Sequence, residues 1–202
     1  MNSESTLDYY NNFANDYFNQ TYTTDLSSTW IKFTSFLKKN DLILDLGSGS
    51  GRDLKFFSTN KYRIIGIDYS LNLAKLAKSY SNQSIITGDI RNIPIIEGSF
   101  NAIWSIGSLL HISRNKLPNV LLQLKNALIS NGMFFSAIKK GSGDLLDLNG
   151  RFTAFYQIEE WISILNKNNF AIISIEEVYE HRIDSNGNMT EITWIECLSR
   201  RK

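Results

Sequence analysis

One cysteine, two prolines and two histidines stand among 202 residues. The single thiol, Cys197, excludes disulfide scaffolds, cysteine-rich zinc sites and CxxC redox motifs together, and it fits a reducing, cytoplasmic setting. Only Pro94 and Pro118 interrupt the chain, and no repeat or low-complexity linker offers a place to divide it. An apolar run of about 18–20 residues is missing as well, so no transmembrane helix is expected. The start, MNSESTLDYYNNFANDYF, lacks the basic and apolar regions of a secretory signal. Charge of one sign is also absent: 21 basic and 20 acidic residues leave +1, no field for nucleic-acid backbones or anionic lipid. The basic end, Arg200-Arg201-Lys202, reads as a solubilising tail. What is present is 43% hydrophobic residues, enough at this length for one domain over 1–202 without covalent staples.

From residue 40 onward the pattern alternates strand, turn and helix. Short apolar runs occur at Leu42–Leu46, Arg63–Asp68, Ser84–Asp89, Phe100–Ile106 and Met133–Ile138. Between them lie helical stripes: Leu54, Phe56 and Phe57; then Leu73, Leu76, Ala77 and Tyr80 behind Ser70 as N-cap. A third stripe, Leu117, Val120, Leu121, Leu124 and Leu128, is expected to close at Asn131-Gly132. A helix carrying Ile158, Trp161, Ile162 and Leu165 should end at Asn168-Asn169. Two last runs, Phe170–Ile175 and Glu191–Leu198, flank Asn186-Gly187-Asn188 and read as an antiparallel edge hairpin. Near-continuous apolar strands suit a parallel sheet covered on both faces. The expectation is α/β: a doubly wound, seven-stranded, mostly parallel sheet with an antiparallel last strand over 41–202, and a helical cap over 1–40. In that cap Trp30, Phe33 and Leu37 read as core. Tyr9, Tyr10, Tyr17 and Tyr22 are open between core and a lid at a site's mouth.

The strongest chemical signal is Asp45-Leu46-Gly47-Ser48-Gly49-Ser50-Gly51, after a strand and before a helix. Glycines let a ligand approach bare backbone, and the helix start offers free N–H groups. Asp68 ends the second strand, where a carboxylate accepts ribose hydroxyls; helix capping is the other role for it, but Ser70 supplies that already. Asp89 ends the third strand, either beside an adenine or ordering its own loop. A dinucleotide fingerprint needs glycine at position 52, where this chain has Arg52, so a nicotinamide dehydrogenase is disfavoured.

In LDLGSGSGRD, GIDYS, GDI and FNAIWSIGSLLHI the chain resembles the class I S-adenosylmethionine-dependent methyltransferases, over essentially Leu42 to Leu198. The helical N-terminus ahead of this core looks most like bacterial small-molecule methyltransferases of the tellurite-resistance and ubiquinone-biosynthesis type. The resemblance implies S-adenosylmethionine as cofactor and S-adenosylhomocysteine as product. It places Asp45 under the cofactor's amino group and Gly47, Ser48, Gly49 and Gly51 around its methionine part. It gives Asp68 the ribose, Tyr69, Asp89 and Ile90 the adenine, and Ser105 a place near the sulfonium. Arg52 either pairs with the cofactor carboxylate or is a solvated first-turn side chain.

Methyl transfer needs a base only when the acceptor must lose a proton. His111 is the candidate, with an ordinary pKa of ~6.5; a wall residue is the alternative. His181, between Glu180 and Arg182, reads as surface. Tyr10, Tyr17, Arg151 and Tyr156, with Arg182 and Trp194, are candidate acceptor-side or lid contacts. No metal is expected. The fourth strand lacks the Asn/Asp-Pro-Pro-aromatic motif of exocyclic-amine methylation, and HExxH, GxSxG and Walker A runs are missing. Transfer to oxygen or nitrogen of a small molecule is the reading; an RNA or protein acceptor, or a non-catalytic nucleotide-binding module, are the alternatives.

Overall fold

In a computed structural model, residues 2–93, 96–183 and 189–202 are described. The sheet is built on residues that alternate between two apolar faces. Strand β1 (Leu42–Leu46) sends Ile43 to one side and Leu44 and Leu46 to the other. In β4 (Phe100–Ile106), Trp104 joins Ile43's side and Ile103 the opposite one; in β5 (Leu128–Lys139), Phe135 and Phe134 divide likewise. Burial on both faces makes these runs almost wholly apolar and fixes their register, because a one-residue slip would exchange the two sets.

Beside them lie β2 (Arg63–Asp68), β3 (Ser84–Thr87), β8 (Phe170–Ile183) and β9 (Met189–Arg201). The seven-stranded order is β3-β2-β1-β4-β5-β9-β8. Strands β1 to β5 pair in parallel, and β9 runs antiparallel to both β5 and β8. On one face α3 (Ser27–Thr34) and α4 (Arg52–Thr59) pack Trp30, Phe33, Leu54 and Phe57 against Trp104 and Phe135, whose rings stack at 4.4 Å. On the other, α6 (Leu117–Ala127) and α7 (Ile158–Lys167) supply Leu121, Leu124, Trp161 and Leu165. Each such side chain contributes about 1.5–3 kcal/mol by leaving water.

Helix α5 (Leu71–Ser81) starts as expected, the Ser70 hydroxyl accepting from Leu73 N–H at 3.2 Å. The N-terminal segment forms α1 (Asn2–Asn12) and α2 (Ala14–Thr21) before α3. Helices α1 and α2 pack on α5 at the end of the sheet where β1, β2 and β3 finish, rather than on a sheet face.

Two expectations are corrected, and one element is new. Helix α6 stops at Ala127, four residues before Asn131: Leu128 is extended, fully buried and paired with Phe100, and Asn131 (φ 61°) turns a bulge inside β5 instead of ending a helix. The final hairpin strands are longer than their apolar runs, because an edge strand's solvent face accepts Glu176, Glu180 and Arg182. A two-stranded ribbon, β6 (Asp144–Leu146) with β7 (Phe152–Ala154), has no counterpart in the sequence reading. The Asn186-Gly187-Asn188 turn lies outside the described residues.

Candidate active site

The strand order reverses between β1 and β4, and the crevice at their carboxyl ends is where ligands bind in open α/β sheets. The loop after β1 enters this crevice. Its first two N–H groups, from Gly47 and Ser48, donate to the Ile67 carbonyl at 2.8 and 3.0 Å, tying β1's end to β2's. Gly47 has φ 77°, and a Cβ there would stand 2.5 Å from Ser108 Cβ, after β4. Gly49 has φ 52°, and its Cβ would meet Tyr17 Cε1 at 3.2 Å. Both positions favour glycine by their positive φ, and at Gly47 a Cβ also has no room. Gly51 caps α4 against Ala77.

Asp68 stands at the centre. Its Oδ2 accepts from Gly49 N–H at 2.8 Å and its Oδ1 from Ser70 N–H at 2.9 Å. Burial pushes its pKa up to about 6, although those two N–H groups pull the other way. It is therefore mostly ionised at neutral pH, with lone pairs facing the cavity. Asp45 lies deeper; burial, with Asp53 and Asp68 nearby, drives its pKa well up, against the pull of Arg52. Its Oδ2 is buried and has no hydrogen-bond partner among the described residues. Arg52 is held by Asp53 in a two-point pair at 3.0 and 2.9 Å, and Trp30 Nε1 donates to the same carboxylate at 2.9 Å.

Above these groups is a cavity of about 710 Å³, including its opening to solvent. Of the residues singled out from sequence, Gly47, Gly49, Asp68, Tyr69, Asp89, Ile90, His111, Tyr10 and Tyr17 line it. Asp89 is clamped by Arg91, whose hydrogen bonds outweigh burial and hold the carboxyl below its usual range. The Arg91 guanidinium also lies 5.7 Å from the Tyr69 ring centre. Ser48 and Ser105 sit behind the wall: the Ser48 hydroxyl is buried without a partner among the described residues, and Ser105 Oγ is 2.7 Å from Ser108 Oγ. Arg151 stays outside the lining, paired with Asp147 at 3.1 Å and 4.8 Å from the Tyr9 ring centre. The structure places Tyr156 elsewhere. It is 1% exposed in the core, beside Trp161 and under Arg114, because its β7–α7 connection folds inward.

Helices α1 and α2 form the roof. Phe152 N–H donates to Thr6 Oγ1 at 2.9 Å, Ser70 Oγ to Asn11 Oδ1 at 2.7 Å and Asn72 Nδ2 to the Asn11 carbonyl at 2.9 Å. Tyr10 and His111 meet at 2.8 Å between the hydroxyl and Nε2. His111 Nδ1 is bonded to the Phe152 carbonyl, which can only accept, so the ring proton is on Nδ1 and Nε2 accepts from Tyr10. Burial takes the His111 pKa down to about 4, so the ring is neutral at pH 7 rather than poised near its ordinary value. Sequence reasoning missed Thr6, Asn11, Arg91 and Ser108; only Ser108, one residue past the glycine that follows β4, carried a local signal. His181 is at the surface, 3.4 Å from Glu191. Among the described residues no group of three or more metal-ligating side chains occurs, and no helix is long and apolar enough to cross a membrane.

Comparison with known proteins agrees with this geometry. Residues 43–132 match the family model of the methyltransferase domain. An uncharacterized protein of Methanocaldococcus jannaschii is 30% identical over 103 residues, 50% of this chain and 38% of that protein. A probable tRNA methyltransferase 9B of Homo sapiens is 29% identical over 116 residues, 55% of this chain and 25% of that protein. The chain thus spans less than half the length of these relatives. Among solved structures, 1,6-didemethyltoxoflavin-N1-methyltransferase of Burkholderia thailandensis, crystallised with 1,6-didemethyltoxoflavin and S-adenosylhomocysteine, superposes with TM-score 0.77 at 16% identity, over 99% of this chain and 88% of that one. The fold is the Rossmann-like fold of these methyltransferase structures, and the match to the methyltransferase-domain model falls on its parallel strands β1 to β4 and the start of β5.

Proposed function

We propose that this chain transfers a methyl group from S-adenosylmethionine to an oxygen or nitrogen of a small molecule held under α1 and α2. The carrying observation is the cradle itself: two side-chain-free positions, Gly47 and Gly49, face a buried carboxylate, Asp68, at the point where strand order reverses. These residues fit the adenosyl donor. Asp68 accepts the ribose hydroxyls, Tyr69 with Asp89 and Ile90 borders the adenine, and bare backbone at Gly47 and Gly49 admits the methionine part. The unpartnered Asp45 oxygen suits a cationic amine. Ser48, Gly51, Arg52 and Ser105 shape the cradle from behind.

Bound there, S-adenosylmethionine supplies a methyl already activated by cationic sulfur. The chain's residues therefore position the partners and exclude water. Tyr10 and Tyr17 close the roof, and His111 borders the acceptor side with Nε2 engaged by the Tyr10 hydroxyl, so an acceptor must displace that bond to reach the lone pair. A ring with a pKa of about 4 is a weak base, so it serves acceptors that give up a proton readily or are already ionised.

The test is release of S-adenosylhomocysteine across a library of small hydroxyl and amine compounds. Turnover that is lost in Asp68→Ala supports the reading. Cofactor binding without turnover on any compound points instead to a nucleotide-binding module. The curated tRNA-methylating relative favours a second reading, an RNA acceptor. The balanced charge and the roofed cavity weigh against it. Salt-sensitive retention on tRNA would revive it.

A further inference from the structure

At the C-terminal end of β5 stands Lys139, opposite Trp194 of β9. Its ammonium is 5.8 Å from the Trp194 ring centre. That indole is the nearest neighbour of Gly107 in the cavity wall, 3.5 Å from where a Cβ would be. Lys139 also acts electrostatically on His111, and shares its surroundings with Arg151, Arg182, Glu180 and Asp147. The two carboxylates are already engaged. Asp147 holds Arg151 at 3.1 Å. Glu180 takes Arg182 at 2.5 Å and Trp194 Nε1 at 2.7 Å.

Among the described residues these three cations face two anions, and no carboxylate lies within 4.0 Å of the Lys139 ammonium. A half-buried charge left over in this way is costly until an opposite charge arrives. Arg151 reaches from the same cluster to the Tyr10 hydroxyl, so the excess charge lies just behind the cavity wall formed by Gly107, His111 and Tyr10.

We infer that Lys139, flanked by Arg151 and Arg182, docks an anionic oxygen of the acceptor, so that the acceptor is a small organic acid. This rests on the proposed methyl transfer and narrows its substrate class. An ionised acceptor also asks little of His111 as a base. Nothing local in the sequence marks Lys139, which is one of two consecutive lysines at a strand end.

The experiment uses the full chain loaded with S-adenosylhomocysteine and titrated calorimetrically with 4-hydroxybenzoate, salicylate and anthranilate, each beside its uncharged amide. Acids should bind about tenfold or more tightly than their amides, as a charge-assisted contact requires. Lys139→Met and Lys139→Gln should erase that preference, and Lys139→Arg should keep it, with thermal melts confirming that each variant folds. Equal binding of acids and amides, no binding by any acid, or a preference that survives in both neutral variants overturns the inference. So does tRNA displacing the acids as the bound species. Cofactor loading is measured separately: if S-adenosylhomocysteine itself fails to bind, the methyltransferase reading falls, while the acid preference is still read on the ligand-free chain.

Discussion

Tyr10 and His111, 101 residues apart, are joined by a 2.8 Å hydrogen bond that fastens the roof helix α1 to the turn after β4. The bond fixes the neutral ring with its proton on Nδ1, so His111 is a latch as much as a candidate base. Tyr10→Phe leaves Nε2 without a donor and loosens the roof. S-adenosylhomocysteine should then bind roughly five- to tenfold more weakly by calorimetry, with faster proteolysis within α1 and α2.

Because burial holds the His111 pKa near 4, its ring should not titrate between pH 6 and 8. Nitrogen-detected NMR of labelled histidine should show His111 as a neutral Nδ1–H ring throughout that range.

Asp68 brings a different pH dependence. Its pKa of about 6 lies above the ordinary carboxylate value, so the unliganded protein gains stability as pH falls through 6, when the buried charge is neutralised. Ligand binding has the opposite sign, because ribose hydroxyls donate to the ionised form. Affinity for S-adenosylhomocysteine should be level above pH 7 and fall by up to about tenfold per unit below 6. Calorimetric titration from pH 5 to 8 checks this.

Asp45→Asn replaces a buried carboxyl whose Oδ2 has no partner among the described residues and whose ionised form burial disfavours. The free protein should melt higher at pH 7, by about 1–3 kcal/mol of stability, while cofactor affinity drops at least tenfold. Separating the two effects distinguishes a functional charge from a structural one.

Gly47→Ala and Gly98→Ala form a matched pair. Both glycines have positive φ, 77° and 63°, but a Cβ at 47 collides with Ser108 whereas none is met within 4 Å at 98. Gly98→Ala should cost about 1–2 kcal/mol of backbone strain and leave ligand binding intact. Gly47→Ala should cost more and abolish ligand stabilisation, as paired melts would show.

The parts of this architecture that were legible in the sequence are those written in local pattern. Ile43 and Leu44, or Phe134 and Phe135, are adjacent apolar residues that only a sheet covered on both faces can bury. The glycine loop and Asp68 announce the crevice by their places at strand ends. Misreadings arose where tertiary packing overrode a local signal. Asn131-Gly132 looks like a helix stop, yet Leu128 is drawn into the core as strand and the pair becomes a bulge. Tyr156 looked like a site tyrosine until its chain turned inward. Roof contacts such as Phe152 with Thr6, 146 residues apart, leave no local trace, nor does the surplus charge on Lys139.

The most direct test of the central claim is thermal denaturation with S-adenosylmethionine, S-adenosylhomocysteine and NADH in parallel. At 100-fold its dissociation constant a ligand adds about 2.7 kcal/mol, which in a chain of this size raises the midpoint by roughly 5–10 °C. The account requires that rise with both adenosyl ligands and none with NADH. A rise with NADH alone, or with no ligand at all, would contradict it.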